Sequence, residues 1–151
     1  IEIIPLDNDW QKAAHVYSDE VLISHRTDAE KGTPKFERGK SLSDYQCEMI
    51  YISGTAAIRG EESIVTGDVL VQTEITLENI QHLIGLEEGR EKLPEHSGKL
   101  ELLRVYLKHE EDAKIVKEDM DKLCPDVPIV YLYADVCREE LLVEIEGIAY
   151  L

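Results

Sequence analysis

Apolar residues recur at steps of three and four in two segments, which is the spacing of one helical face. The first helix is predicted to begin at Thr66 or Asp68 and to end at Gly85. Its inner face comprises Val69, Thr73, Leu77, Ile80 and Ile84. The second is predicted over 110–124, where it stops before Pro125. Its inner face comprises Ala113, Val116, Met120 and Leu123.

Alternation of apolar and polar residues predicts strands at 47–58, 100–109, 127–134 and 140–150. In the first strand, alternation places Thr55 on the face opposite Gly54. In the last strand, one face is apolar and the other carries Glu144 and Glu146 side by side. Such a face meets either water or a bound molecule.

The order of elements is strands, helix, strand, helix, strand, strand. Two helices most simply cover one face of a single mixed sheet, which predicts a two-layer α+β sandwich. The uncovered face would present Thr55, Arg104, Tyr106, Glu144 and Glu146. This mixture is too aromatic for a simple solvent face, so we expect it to pack on symmetry-related copies.

The chain of 151 residues has the size of one domain. We expect the core at 46–151, preceded by N-terminal strands and a loop at 1–45. Because the chain begins with Ile1 rather than Met, we expect it to be part of a longer protein.

A formal charge of −16 disfavours nucleic acid as a partner, since an acidic body repels phosphates. No apolar run is long enough to span a membrane, and the start lacks a signal-peptide pattern. Three cysteines without metal-type spacing favour a reducing compartment, so we expect a cytoplasmic protein.

The five histidines follow no metal-ligand spacing, and neither a phosphate-binding glycine loop nor a serine-nucleophile motif is present in the sequence. We therefore expect neither a metal nor an organic cofactor.

Three motifs, in this order, resemble the YjgF/RidA superfamily, also called L-PSP endoribonuclease-like. The first is a strand that ends in Ser53-Gly54, and the last is the closing strand Glu144-Ile145-Glu146. Between them lies a helix of the form D-x-x-x-Q-T-x-x-x-L-x-N-I, represented by Asp68, Gln72, Thr73, Leu77, Asn79 and Ile80. The resemblance implies a chorismate-mutase-like fold and homotrimers with pockets between subunits.

Within the superfamily, four further segments resemble the C-terminal half of the chorismatases, which hydrolyse the enolpyruvyl ether of chorismate. These segments are "PKFERG", "YISGTAAIRGEES", "LLRVYLKH" and "CPDVPIVYLYADVCREELLVEIEG". The likeness runs from about Asn8 to Ala149. It implies a hydrolase or lyase domain that acts on a small carboxylated metabolite such as chorismate.

By this resemblance, Glu144 matches the catalytic or water-positioning acid of both families. A carboxyl group beside apolar walls has a raised pKa, which suits a general acid near neutral pH. The alternative is a solvated strand glutamate. Cys137, seven residues earlier, matches a pocket cysteine of the chorismatases. Its alternative is a small buried hydrophobic residue, because no partnered base supports a nucleophilic role.

Further substrate-binding candidates are Phe36, Arg38, Gly54, Thr55 and Arg104. Phe36 and Arg38 lie where RidA proteins have a pocket aromatic residue, and could equally belong to a surface loop. Gly54 and Thr55 end a strand where the backbone can approach a ligand closely, although a tight turn would need the same glycine. Arg104 could bind an anionic substrate or pair with a glutamate across the sheet.

Other functions remain open at this stage. RidA deaminases hold a substrate carboxylate with an arginine at the start of the penultimate strand, where this chain has Val127 and Pro128. Imine deamination is therefore disfavoured unless Arg38 or Arg104 substitutes for that arginine. A non-catalytic binding or oligomerisation module is a further alternative, and the charge of the chain weighs against a ribonuclease.

Overall fold

A computed structural model describes residues 38–43, 48–59, 62–85 and 99–150. Five strands form the main sheet: β1 (Gly39–Ser43), β2 (Glu48–Ala56), β5 (Lys99–Leu107), β6 (Ile129–Tyr133) and β7 (Val143–Tyr150). Two short strands, β3 (Ile58–Arg59) and β4 (Glu62–Ser63), form a separate hairpin. The predicted strands of the core are thus present, with ends shifted by a few residues.

The main sheet has the strand order β1-β2-β7-β5-β6. All neighbouring strands are antiparallel except β5 and β6, which are parallel. The β5–β6 connection contains helix α2 (Ala113–Leu123), which follows a short 3-10 turn at Glu110–Asp112. The last strand in the sequence, β7, therefore lies at the centre of the sheet.

Helix α1 (Val69–Leu83) begins where the sequence predicts, because Asp68 caps it. The Asp68 carboxylate accepts hydrogen bonds from the Leu70 and Val71 amides, at 2.9 and 3.5 Å. The chain leaves the helix through Gly85, whose φ of +74° is readily adopted only by glycine. All five residues of the predicted inner face are buried.

Both helices pack on one face of the sheet, so the predicted two-layer α+β arrangement is confirmed. Strand β7 contributes Val143, Ile145 and Ala149 to this core, all fully buried. Helix α2 contributes Val116 and Met120. No helix in the described part of the chain is long and apolar enough to cross a membrane.

The opposite face of the sheet, here called the open face, carries both polar and apolar residues. The β5–β6 register places Val130 beside Arg104 and Leu132 beside Tyr106. Val130 and Leu132 remain 47% and 38% exposed in the single chain. Tyr51 and Tyr150 are also exposed. The N-terminal strands and loop predicted at 1–45 lie mostly outside the described residues.

Candidate active site

A β-bulge in β2 gives the site its shape. Ile52 pairs with Gly147 and Thr55 pairs with Ile145. Over this interval β2 advances by three residues and β7 by two, so β2 contains one extra residue. The extra residue reverses the alternation of faces. Thr55 therefore lies opposite the buried Ile145, so the predicted placement of Thr55 on the open face is wrong. Its hydroxyl donates to the Ser53 carbonyl at 2.9 Å.

The same bulge brings Gly54 against the carboxyl group of Glu144. A β-carbon at position 54 would lie 2.2 Å from Glu144 Oε1 and 2.9 Å from its Cδ. No side chain fits there while the carboxyl keeps this position. The predicted strand-ending glycine therefore has a specific partner, since the Glu144 carboxyl packs directly on the Gly54 backbone.

Cys137, in the loop that leads into β7, is a second neighbour of the Glu144 carboxyl. Its thiol shares a hydrogen bond with the Glu144 carboxyl. Although Cys137 is exposed in the single chain, partial desolvation of its thiol is the largest influence that raises its pKa, and the charge and hydrogen bond of Glu144 raise this pKa further. The thiol is therefore held protonated as a hydrogen-bond donor, which is the opposite of what an activated nucleophile needs.

Partial burial raises the pKa of Glu144 above the ordinary carboxyl value, and this is the largest influence on it. The negative charge of Glu146 raises this pKa further. The hydrogen bond with Cys137 and the positive charge of Arg38 act in the opposite direction. Glu144 thus retains its proton to higher pH than an exposed glutamate.

Arg104 and Glu146 are cross-strand partners that form an ion pair on the open face. Arg104 Nε lies 2.6 Å from Glu146 Oε1. The same carboxylate oxygen accepts a hydrogen bond from the Tyr106 hydroxyl, which raises the pKa of Tyr106. Of the two alternatives for Arg104, the structure therefore shows pairing across the sheet.

Arg38 lies immediately before β1, where its carbonyl accepts the Ser53 amide at 3.0 Å. With Thr55 and Asn79 it lines a shallow depression beside the end of β2. Phe36, the neighbouring candidate, lies outside the described residues. Among those that are described, no group of three or more His, Cys, Asp or Glu side chains is arranged to hold a metal ion.

Two α1 residues of the helix motif have partners that sequence reasoning missed. Gln72 and Asn79 are buried. The Gln72 amide donates to the Glu140 carbonyl, before β7, and the Asn79 amide donates to the Ala56 carbonyl, at the end of β2. Their polar character on a buried helix face was a usable signal, because buried amides need partners. The identity of those partners could not be read from the sequence.

Comparison with known proteins identifies relatives of this chain. It is 36% identical over 136 residues to a chorismatase of Streptomyces rapamycinicus, covering 85% of this chain and 41% of that protein. It is also 36% identical over 128 residues to a 3-hydroxybenzoate synthase of Streptomyces hygroscopicus, covering 76% of this chain and 36% of the relative. The chain therefore spans about two fifths of the length of these relatives.

Two solved structures of similar fold are compared with this chain. A chorismatase crystal structure superposes with a TM-score of 0.62 at 30% identity, covering 75% of this chain and 35% of that one. The YjgF gene product of E. coli superposes with a TM-score of 0.59 at 18% identity, covering 79% of this chain and 90% of that one. The second likeness concerns the fold alone. No protein-family model matches the chain.

Proposed function

We propose that this chain, which belongs to the YjgF/RidA superfamily and is similar in sequence to chorismatases, is a chorismatase-like hydrolase or lyase domain. Its substrate would be a small carboxylated metabolite such as chorismate. The observation that carries the proposal is the position of Glu144, whose carboxyl packs on the Gly54 backbone and forms a hydrogen bond with the Cys137 thiol.

In this proposal Glu144 is the general acid. Partial burial and the neighbouring Glu146 charge favour its protonated form, and a general acid must hold a proton near the working pH. Cys137 donates its thiol proton to one carboxyl oxygen and thereby orients the group. The other carboxyl oxygen can then present the acidic proton to a substrate.

The chemistry follows from the enolpyruvyl ether. The Glu144 proton forms a C–H bond with the terminal methylene carbon as the alkene electrons move, which leaves an oxocarbenium ion. Water adds to this ion and gives up a proton to the Glu144 carboxylate. The hemiketal hydroxyl then loses its proton and becomes the carbonyl of pyruvate as the bond to the ring oxygen breaks, and a proton passes to that oxygen, so that the ring retains a hydroxyl group.

Substrate binding is assigned to residues around this carboxyl. Gly54 and Cys137 neighbour it, and Arg38 is the cation whose charge acts on Glu144. Arg38 is therefore proposed to attract a substrate carboxylate. Thr55 is retained for its backbone alone, because its side chain is buried on the packed face. Phe36 is retained as a proposed pocket residue on the resemblance alone.

The ion pair with Glu146 weighs against Arg104 as a carboxylate-binding group. This pairing removes Arg104 as a replacement for the missing arginine, so imine deamination would depend on Arg38 alone. We further propose that the chain assembles as a homotrimer through the open face, so that the Glu144 site lies between subunits. The exposed apolar residues on this face support that assembly.

Chorismate turnover tests the proposal directly. Glu144→Gln keeps the size of the side chain but removes its acidic proton, so kcat should fall by about 10²–10⁴-fold with substrate binding retained. Glu146→Gln is the matched control, since it changes the neighbouring carboxylate of the same strand. It should lower kcat much less. Equal small effects of the two substitutions, or no turnover by the unmodified protein, would reject the proposal.

A further inference from the structure

Helix α1 carries two buried amide side chains on the face that packs against the sheet. Gln72 is fully buried and Asn79 is 5% exposed. They are seven residues apart, so they lie two turns apart on the same face of the helix. The hydrogen bonds of both amide groups lead out of the helix, to backbone groups of other segments.

Gln72 holds the segment that leads into β7. Its Nε2 donates to the Glu140 carbonyl at 3.1 Å, and its Oε1 accepts the Leu142 amide at 2.8 Å. One amide therefore satisfies both a donor and an acceptor of the main chain. Cys137 lies three residues before this contact and Glu144 two residues after it.

Asn79 holds the end of β2 in a similar way. Its Nδ2 donates to the carbonyl oxygens of Ala56 and Ile58, at 2.9 and 3.0 Å. This contact lies two residues beyond Gly54, whose backbone supports the Glu144 carboxyl. The two segments that meet around Glu144 are thus each fixed to the same helix from the opposite side of the sheet.

We propose that Gln72 and Asn79 are positioning residues that set the relative placement of the Glu144 carboxyl, the Cys137 thiol and the Gly54 backbone. The role in catalysis rests on the proposed function, whereas the geometric role does not. A helix is a rigid spacer, so two side-chain bonds from it define the separation of both segments. Displacements of about 1 Å can cost about 10²-fold in rate.

Gln72→Met tests this role, because methionine has a similar size but cannot form either bond. Thr73→Val is the matched control. Thr73 is also fully buried on α1, but its hydroxyl bonds only to Val69 O of its own helix, at 2.7 Å. Both substitutions should lower the melting temperature, so stability alone does not separate them. Gln72→Asn, which keeps the amide but retracts it, is the second variant if Gln72→Met fails to fold.

The first readout is alkylation of Cys137 as a function of pH, in a Cys47→Ser background. Cys137 is exposed and Cys124 is buried, so iodoacetamide reports on Cys137. Releasing the thiol from Glu144 should lower its pKa, and alkylation near neutral pH should therefore become faster in Gln72→Met but not in Thr73→Val. Identical pH profiles in the two variants would overturn the positioning role.

The second readout is the kinetics of chorismate turnover. In Gln72→Met we expect kcat to fall about tenfold or more with a smaller change in KM, since the acid is displaced while Arg38, the proposed carboxylate-binding group, has no bond to Gln72. An equal loss in Thr73→Val would show a merely structural role. Absence of turnover in the unmodified protein would reject the proposed function alone, because the alkylation profiles would still decide the positioning role.

Discussion

The carboxyl group of Glu144 occupies the space that a side chain at Gly54 would need. A β-carbon there would lie 2.2 Å from Glu144 Oε1, which is the end of a flexible side chain that can swing away. Gly147 presents the contrasting case, because it lies on the packed face of β7, the strand that carries Glu144. A β-carbon at Gly147 would lie 2.7 Å from the Leu102 carbonyl oxygen, which is held in the sheet.

Gly54→Ala should therefore remove activity and leave the fold nearly unchanged, because only the Glu144 carboxyl has to move. Gly147→Ala should destabilise the fold by about 1–3 kcal/mol, as expected of overpacking against fixed atoms. Chemical denaturation and chorismate turnover, measured on both variants, check this pair. Strong destabilisation by Gly54→Ala would contradict the expectation that the Glu144 carboxyl moves aside.

Arg104 should lower the pKa of Glu144 indirectly. The negative charge of Glu146 raises the pKa of Glu144, and Arg104 partly offsets that charge from 2.6 Å away. Arg104→Met should therefore raise the pKa of Glu144 further and move the high-pH limb of the turnover profile to higher pH. Arg59→Met is the control, because Arg59 forms a similar pair with Glu78 on an exposed surface. A profile unchanged in both variants would contradict an influence of Arg104 on the pKa of Glu144.

Cys137→Ser and Cys137→Ala separate a hydrogen-bond donor from a nucleophile. The thiol bond lowers the pKa of Glu144, so Cys137→Ala should raise this pKa and shift the pH profile upward while turnover persists. Serine retains a donor, so Cys137→Ser should shift the profile less. Loss of all turnover in both variants, with the fold intact, would indicate that the thiol itself forms a bond to the substrate.

The free energy of unfolding should depend on pH through the raised pKa of Glu144. A raised pKa means that the folded state binds this proton more tightly than the unfolded state. The contribution of Glu144 to stability is thus present at acidic pH and is lost as the pH rises from the ordinary carboxyl value of about 4.3 through the raised one. Because a glutamine side chain does not titrate, Glu144→Gln should gain unfolding free energy relative to the unmodified protein across that window. A constant difference in unfolding free energy between Glu144→Gln and the unmodified protein, from acidic to neutral pH, would contradict this.

Alternation in β7 was sufficient to predict which of its residues are buried, because a central strand with one packed face repeats every two residues. The same rule failed in β2. One extra residue in the bulge reverses the faces, and the apolar pattern carries no mark of where that residue is inserted. Thr55 was misplaced for this reason.

The contacts of the site were harder to predict than its residues. The resemblance selected Glu144 and Cys137, and the structure brings these two side chains together. Gln72 was recognised only as part of a helix motif, since its partners, Glu140 and Leu142, lie about 70 residues away in the sequence. Such pairings depend on how the loop before β7 packs on α1, which local patterns do not encode.

The open face provides the test of assembly. Leu132 lies on this face beside Tyr106 and is 38% exposed in the single chain, whereas Val65 is 66% exposed but lies outside the main sheet. If the open face is buried between three copies, Leu132→Glu should place a charge in that interface and dissociate it. Val65→Glu adds the same charge to an exposed apolar position and should leave the assembly intact. Sedimentation at about micromolar concentration should give three times the 17.2 kDa chain mass for the unmodified protein and Val65→Glu, and one chain mass for Leu132→Glu. A monomeric unmodified protein, or equal behaviour of the two variants, would contradict assembly through this face.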